Sequence, residues 1–167
     1  MPKIQIVDEH DNVIGAEDKK AAHAKGLAHR IVRIFLFNPA GQLYMQKRAP
    51  NLKDAPDLWD QSVGGHVDEG EDYMTAAIRE TEEEIGLTGL ELQPVAKFYS
   101  EYSKMGRRPR FNMVYRAVSS EEPRPNPEEA SGGRWISLSE LERMMRKNPE
   151  QFTAGFIKSY EVYKEQI

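Results

Sequence analysis

The stretch GHVDEGEDYMTAAIRETEEEIGL, residues 65–87, joins a glycine-bearing acidic loop to a segment that is typical of a helix. From residue 72 onward, apolar side chains recur at the spacing of one helix face, and Gly86 is well placed to end the helix in a left-handed conformation. We therefore predict one helix over residues 72–85 with one buried stripe. The stripe consists of Met74, Ala77, Ile78, Thr81 and Ile85.

Four glutamates lie close together at the end of this helix, and three of them are spaced so that they can bind one metal ion. Like charges at i and i+4, as at Glu80 and Glu84, repel each other, and a solvated acidic face is the ordinary interpretation of such a run. Glu80, Glu83 and Glu84 lie opposite or beside the apolar stripe, so none of them needs to enter the core. Three carboxylates and a loop carbonyl are the oxygen donors that Mg²⁺ or Mn²⁺ selects. The spacing therefore favours a divalent-metal site, beside which Arg79 either pairs with a loop carboxylate such as Glu71 or is an ordinary surface arginine.

The composition is that of one folded domain without covalent cross-links. The 167 residues are 39% hydrophobic and 30% charged, and the formal net charge of −4 argues against duplex nucleic acid as a partner. Residues 1–20 lack the apolar core of a signal peptide and no segment approaches a membrane span, so we expect a cytoplasmic protein that does not bind a membrane. The absence of cysteine excludes disulfides, thiolate metal sites and cysteine nucleophiles. The oligomeric state stays open, with a homodimer among the options.

The rest of the chain predicts a mixed β-sheet with helices packed on it, which is the α+β class. Predicted strand pairs lie at residues 3–15 and 29–49, and residues 17–26 predict a loop or one helical turn. Further predicted elements are a short strand over 59–67 broken by a glycine pair, strands over 94–102 and 109–119 joined by the turn SKMGRR, a strand over 133–138, a helix over 139–147 and a terminal helix over about 149–164. We predict a single domain over residues 1–167, with its core over about 28–160.

Residues 65–87 resemble the Nudix box, G-x5-E-x7-R-E-U-x-E-E-x-G-U, in which U is a bulky aliphatic residue. The matching positions are Gly65, Glu71, Arg79, Glu80, Glu83, Glu84, Gly86 and Leu87. The one departure is Thr81, which lies in the predicted buried stripe, so we expect a packing adjustment there and no loss of chemistry. The resemblance implies a Nudix hydrolase: an α/β/α sandwich whose loop and helix bind Mg²⁺ or Mn²⁺ and a substrate diphosphate.

The resemblance also implies a role for each box residue. The implied metal ligands are Glu80, Glu83, Glu84 and the carbonyl group of Gly64. The implied catalytic set is Glu80, Glu84 and Arg79, with Arg79 bracing the site. The implied structural positions are Gly65, Glu71, Gly86 and Leu87.

Candidate site residues also lie outside the box. In this family a general base often lies a few residues before a tryptophan in the last strand, and PEEASGGRW offers Glu129, with Glu128 as its neighbour. An ordinary loop glutamate is an equally good interpretation. Arg48 and Lys53 are candidate phosphate ligands, which would otherwise be surface cations.

Most of the chain also resembles isopentenyl-diphosphate isomerase and its Nudix hydrolase relatives, through VDEHDNVIG, HAKGLAHR, FLFNPAGQLYMQKRA and LWDQSVGGH. His23, His29 and His66 stand where that isomerase has metal-binding histidines, and they either bind a metal or pack in the sheet and loops. The isomerase needs a cysteine where this chain has Gly64, and the segment that carries its glutamates is RRPRFNMVY, without a carboxylate. We therefore rank a hydrolase above an isomerase.

Two other function classes compete with the hydrolase. A non-catalytic module that binds a nucleotide or a protein could lose box glutamates, yet all of them are present. A purely structural protein leaves the glutamate cluster unexplained. The predicted substrate is a nucleoside di- or triphosphate or a related nucleoside-diphosphate compound, with an isoprenoid diphosphate as the alternative.

Overall fold

The structure is a computed structural model that describes residues 2–103 and 106–167. Within those residues the helices are α1 (Lys19–Lys25), α2 (Tyr73–Ile85), α3 (Leu138–Lys147) and α4 (Ala154–Glu165). The strands are β1 (Ile4–Val7), β2 (Val13–Glu17), β3 (His29–Phe37), β4 (Leu43–Arg48), β5 (Trp59–Asp60), β6 (Val63–His66), β7 (Gln93–Ser103), β8 (Gly106–Val118) and β9 (Ala130–Ile136). The α+β class with a mixed sheet is confirmed. The predicted turn SKMGRR includes Lys104 and Met105, which lie outside the described residues.

The sheet is organised around β3. This strand pairs antiparallel with β1, β4 and β6 and parallel with β8, while β4 continues the sheet through β9 and β5. The predicted β3–β4 hairpin exists only at its closed end, where Phe37 lies opposite Leu43. The two strands diverge beyond that pair because β6 and β8 take the hydrogen-bonding edges of β3. The N-terminal hairpin β1–β2 is confirmed.

Side chains of β3 alternate between two hydrophobic layers, as the two-residue period of a strand requires. Val32, Ile34 and Leu36 pack in the layer that contains α2. Phe35 and Phe37 pack on the other face, among side chains of α3 and α4. The sheet is therefore covered on both faces, which confirms the α/β/α arrangement.

Helix α2 begins at an Asp72 cap and ends at Gly86, whose φ of 68° is left-handed as predicted. Two predictions about its faces are wrong. Ile78 is 49% exposed, whereas Glu84 is only 9% exposed. Glu84 follows Ala77 by seven residues, which returns it to within about 20° of the same direction around the helix. The carboxylate therefore lies on the buried face.

Three local predictions are corrected by non-local contacts and capping. Residues 19–25 form a helix, since Asp18 caps its start and Gly26, with a φ of 65°, ends it. The glycine pair lies inside β6, and the chain breaks instead between β5 and β6. The terminal helix begins at Ala154 after a short 3₁₀ turn, because Phe152 is extended and bridges to Trp59. No helix in the described part of the chain is long and apolar enough to cross a bilayer.

A buried ionic network ties the N-terminal hairpin to the sheet. Asp11, which is 8% exposed, accepts hydrogen bonds from Arg30 Nε, Lys97 Nζ and the Tyr73 hydroxyl, each at 2.8 Å. Asp11→Asn keeps the shape and tolerates the left-handed backbone at this position, where φ is 62°. It leaves the Arg30 and Lys97 side chains without this counter-charge. We expect it to lower the free energy of unfolding by about 2 kcal/mol at pH 7, as measured by urea denaturation, with Glu9→Gln at an exposed position as the control.

The same network makes the effect of Asp11→Asn depend on pH. Burial alone would raise the pKa of Asp11, but hydrogen bonds from Lys97, Arg30 and Tyr73 outweigh it and hold the pKa below its ordinary value of 3.8. A lowered folded-state pKa stabilises the fold above pH 3.8, and this contribution disappears as the pH falls through the folded-state value. The difference in the free energy of unfolding between wild type and Asp11→Asn should therefore become smaller below pH 3.8. An equal difference at pH 7 and at pH 3 would refute the role of this ionic network.

Candidate active site

A cavity of about 550 Å³ opens beside β3 and has two ends of different chemistry. The carboxylate end is formed by Glu80, Glu84 and Glu129. The basic end is formed by His23, His29, His66, Arg33, Arg108 and Arg110. A cavity of this size accommodates a ligand as large as a nucleotide.

Two glycines of β6 contact the glutamates of α2 that line the cavity. A Cβ atom on Gly65 would lie 2.7 Å from Glu80 Cγ and would overlap the Glu80 carboxyl group. The Gly64 amide donates to Glu84 Oε2 at 3.3 Å, and Gln46 Nε2 donates to Glu84 Oε1 at 3.2 Å. The absent side chain of Gly65 thus provides the space for the Glu80 carboxyl group, and the Gly64 amide holds Glu84 beside it.

The Glu80 and Glu84 carboxyl groups are close enough to share a hydrogen bond, so they behave as a pair. Burial, followed by the charges of Glu80 and Glu129, raises the pKa of Glu84 well above 4.5. Burial also raises the pKa of Glu80, although contacts with Glu84 and Arg79 oppose the shift. Two buried carboxylates side by side require a proton or a cation between them. Their oxygen donors fit Mg²⁺ or Mn²⁺.

Arg79 links the loop before α2 to the glutamates on the helix. The predicted contact with Glu71 is confirmed, with both Nε and Nη2 donating at 2.8 Å. Further partners are Glu80 at 2.9 Å, Glu83 at 3.2 Å, Asp68 at 3.3 Å and the His66 carbonyl at 3.0 Å. The contact with Glu71 raises the pKa of Arg79 most strongly, and those with Glu80 and Asp68 raise it further. The carboxyl group of Glu83 contacts Arg79, and the Glu83 side chain is 55% exposed.

The other three predicted residues occupy different positions. Glu129 lines the cavity, where burial and then the charge of Glu83 raise its pKa. Arg48 also lines the cavity, but its Nε and Nη2 donate to carbonyl groups of Asp54 and Ala55, so it holds the loop before β5. Lys53 is exposed and is not part of the described cavity wall.

The three histidines of the basic end form a compact cluster. One ring nitrogen from each of His23, His29 and His66 lies within 4.8 Å of the others. The His29 Nδ1 donates to the Leu27 carbonyl at 3.0 Å, which leaves a buried Nε2 without a partner. Burial lowers the pKa of His23 and of His29 to about 4 and that of His66 well below 6.5. Neutral imidazoles of this kind fit a divalent metal such as Zn²⁺, although positive charges on the same wall, Arg108 among them, oppose a second cation.

Sequence reasoning missed Arg33 and Arg110 as cavity residues. Arg33 interrupts the apolar run RIVRIFLF, and a charge inside a buried strand is the signal that would have singled it out. Arg110 carries no such signal, because its position in the cavity depends on the pairing of β8 with β3.

Comparison with known proteins agrees with this arrangement. The NUDIX domain family model matches residues 27–156. Isopentenyl-diphosphate Delta-isomerase from Serratia proteamaculans is 35% identical over 154 residues, which cover 91% of this chain and 86% of that protein. An uncharacterised Nudix hydrolase from Streptomyces coelicolor is 34% identical over 139 residues, 83% of this chain and 76% of that protein. A crystal structure of a Deinococcus radiodurans protein is similar with a TM-score of 0.81 and 29% identity, and the match covers 98% of both chains. The chain therefore belongs to the NUDIX domain family.

Proposed function

We propose that the protein hydrolyses a diphosphate linkage in a nucleoside di- or triphosphate, or a related nucleoside-diphosphate compound, with Mg²⁺ or Mn²⁺ bound at the carboxylate end. Family membership supports an enzyme that acts on diphosphates. The observation that carries the finer proposal is the meeting of Glu80 and Glu84 at the Gly64–Gly65 backbone, on the same cavity wall as Glu129. A buried carboxylate pair attracts a divalent ion, and hydrolysis of a diphosphate needs such an ion to neutralise the charge on the phosphate oxygens.

The proposed roles follow from the contacts of each residue. A divalent ion would neutralise charge on the phosphate oxygens and make the attacking water more acidic. Glu129 would accept a proton from the attacking water, a role that its raised pKa suits because the carboxylate is then a stronger base. Arg79 holds Glu80 and Glu71 in fixed positions. Glu83, which contacts Arg79 at 3.2 Å, would supply a further metal ligand.

An isomerase that acts on isopentenyl diphosphate is the second candidate. It is favoured by the histidine cluster and by a relative of that name at 35% identity. It is opposed by the absence of any cysteine and by the arginines of the basic end, which are poor neighbours for the apolar hydrocarbon group of that substrate. We rank the hydrolase first for these reasons.

The test is a panel of nucleoside di- and triphosphates, nucleotide sugars, dinucleotide polyphosphates and isoprenyl diphosphates, with products separated by chromatography. We expect Mg²⁺-dependent release of phosphate or a nucleoside monophosphate, and at least about a 10²-fold loss of rate when EDTA removes the metal. Conversion of isopentenyl diphosphate to its double-bond isomer would establish the second candidate instead. Binding of a nucleotide without cleavage of any compound would indicate a binding module.

A further inference from the structure

Two arginines on the cavity wall are buried, and among the described residues no carboxylate lies within ion-pair distance of either. Arg33 is 7% exposed, and its Nε and Nη1 donate to the side-chain oxygens of Asn112 and Gln61, both at 3.0 Å. Both of those partners are uncharged. The Nε of Arg110 is buried without a partner, and its Nη1 lies 3.5 Å from the Arg108 carbonyl. Among the described residues, neither guanidinium forms an ion pair.

Two other arginines of the same cavity wall do form ion pairs with aspartates. Arg108 pairs with Asp54 at 3.0 Å, and Arg48 pairs with Asp60 at 3.4 Å. The unpaired arginines carry the cost of burial instead. Burial lowers the pKa of Arg33 to about 10 and lowers the pKa of Arg110, while the charges of Asp60 and Asp54, respectively, oppose these shifts from beyond ion-pair distance. A buried cation without a direct ion pair destabilises a protein, and an anionic ligand in contact with the guanidinium group would reduce that cost.

The strand register places both arginines in one row beside the carboxylate end. β3 and β8 pair in parallel with His29 opposite Arg110 and Ile31 opposite Asn112, so these side chains share a face of the sheet. Arg33 lies two positions after Ile31 on that face and opposite Gly64, whose amide contacts Glu84. The row of positive charge therefore begins next to the carboxylate end and extends away from it.

We propose that Arg33 and Arg110 bind a phosphate group that the substrate carries in addition to the diphosphate linkage that is cleaved. The inference rests on the proposed function and narrows its substrate class. The planar guanidinium group matches phosphate geometry with two parallel hydrogen bonds. The phosphate is either the next one in a polyphosphate chain or an ester on the attached group. Diphosphates with an uncharged tail would leave both arginines unpaired and would bind more weakly.

Calorimetric titration in EDTA tests the site without any turnover. The first pair of probes is inorganic tripolyphosphate and pyrophosphate; the second is 3′-phosphoadenosine 5′-diphosphate and adenosine diphosphate. We expect wild type to bind the more phosphorylated member of at least one pair about tenfold more tightly. The preferred pair identifies whether the phosphate belongs to the chain or to the attached group.

Variants of Arg110 separate charge from structure. Arg110→Gln should abolish the preference, Arg110→Lys should retain part of it, and Arg116→Gln, on the same strand but outside the described cavity wall, should leave it unchanged. Because the unpaired cation destabilises the fold, Arg110→Gln should melt at the same temperature as wild type or higher. Equal affinities within both pairs, or a full preference in Arg110→Gln, would overturn the proposal. No step of this test requires cleavage. If the protein shows the binding preference but hydrolyses none of the compounds, the phosphate site is supported and only the proposed function is refuted.

Discussion

Glu84→Gln is expected to lower kcat on the best diphosphate substrate about 10³-fold while the protein stays folded. The carboxyl group of Glu84 is buried beside Glu80, and its oxygens contact the Gly64 amide and Gln46. Glutamine has nearly the same volume as glutamate and carries no charge. A buried position tolerates this loss of charge. The loss therefore falls on metal binding and not on packing.

Steady-state kinetics across a range of Mg²⁺ concentrations, with a thermal melt of each variant, measures this effect. Glu82→Gln is the matched control, because Glu82 lies on the same helix and is exposed. We expect its turnover to equal that of wild type. Unchanged turnover in Glu84→Gln would show that the metal-binding assignment is wrong.

Gly65→Ala is expected to reduce activity about 10²-fold and to change the free energy of unfolding by less than about 1 kcal/mol. The added Cβ would overlap the carboxyl group of Glu80. That carboxyl is the far end of a flexible side chain, so it can rotate away at little cost in stability. Rotation removes it from Glu84 and from Arg79, however, and the proposed metal site is then incomplete.

The matched control is Gly15→Ala in β2, where an added Cβ meets no atom within 4 Å. We expect the Mg²⁺ concentration for half-maximal activity to rise in Gly65→Ala and to stay constant in Gly15→Ala. Wild-type activity in Gly65→Ala would mean that Glu80 does not need its present position. A large fall in the melting temperature of Gly65→Ala would show that the added Cβ distorts the backbone of β6 and does not simply displace the Glu80 carboxyl group.

Local signals in the sequence were sufficient for the existence of α2, for its end and for its contact with the preceding loop. Gly86 ends the helix by its left-handed backbone, and the contact between Arg79 and Glu71 spans only eight residues. The spacing of the box residues also led to the family, which the comparisons confirm. The burial of Glu84 was missed because Ile78 was assigned to the stripe, although Ile78 is exposed.

Long-range contacts account for most of what the sequence did not reveal. The β3–β4 hairpin separates because β6 and β8 compete for β3, and no pattern within residues 29–49 records that competition. The place of Arg110 in the basic end was missed for the same reason, because it depends on the pairing of β8 with β3. Arg33 and Asn112, which contact each other there, are 79 residues apart in the chain.

The position of β3 limits how this protein can change during evolution. The strand presents Val32 to one hydrophobic layer, Phe35 to the other, and Arg33 to the cavity. Because side chains alternate, deletion or insertion of a single residue would exchange the two faces and disrupt both layers and the cavity together. Substitutions at Arg33 can alter ligand preference while the length of the strand stays fixed. We therefore expect homologous proteins to differ in this strand by residue type and to keep its length.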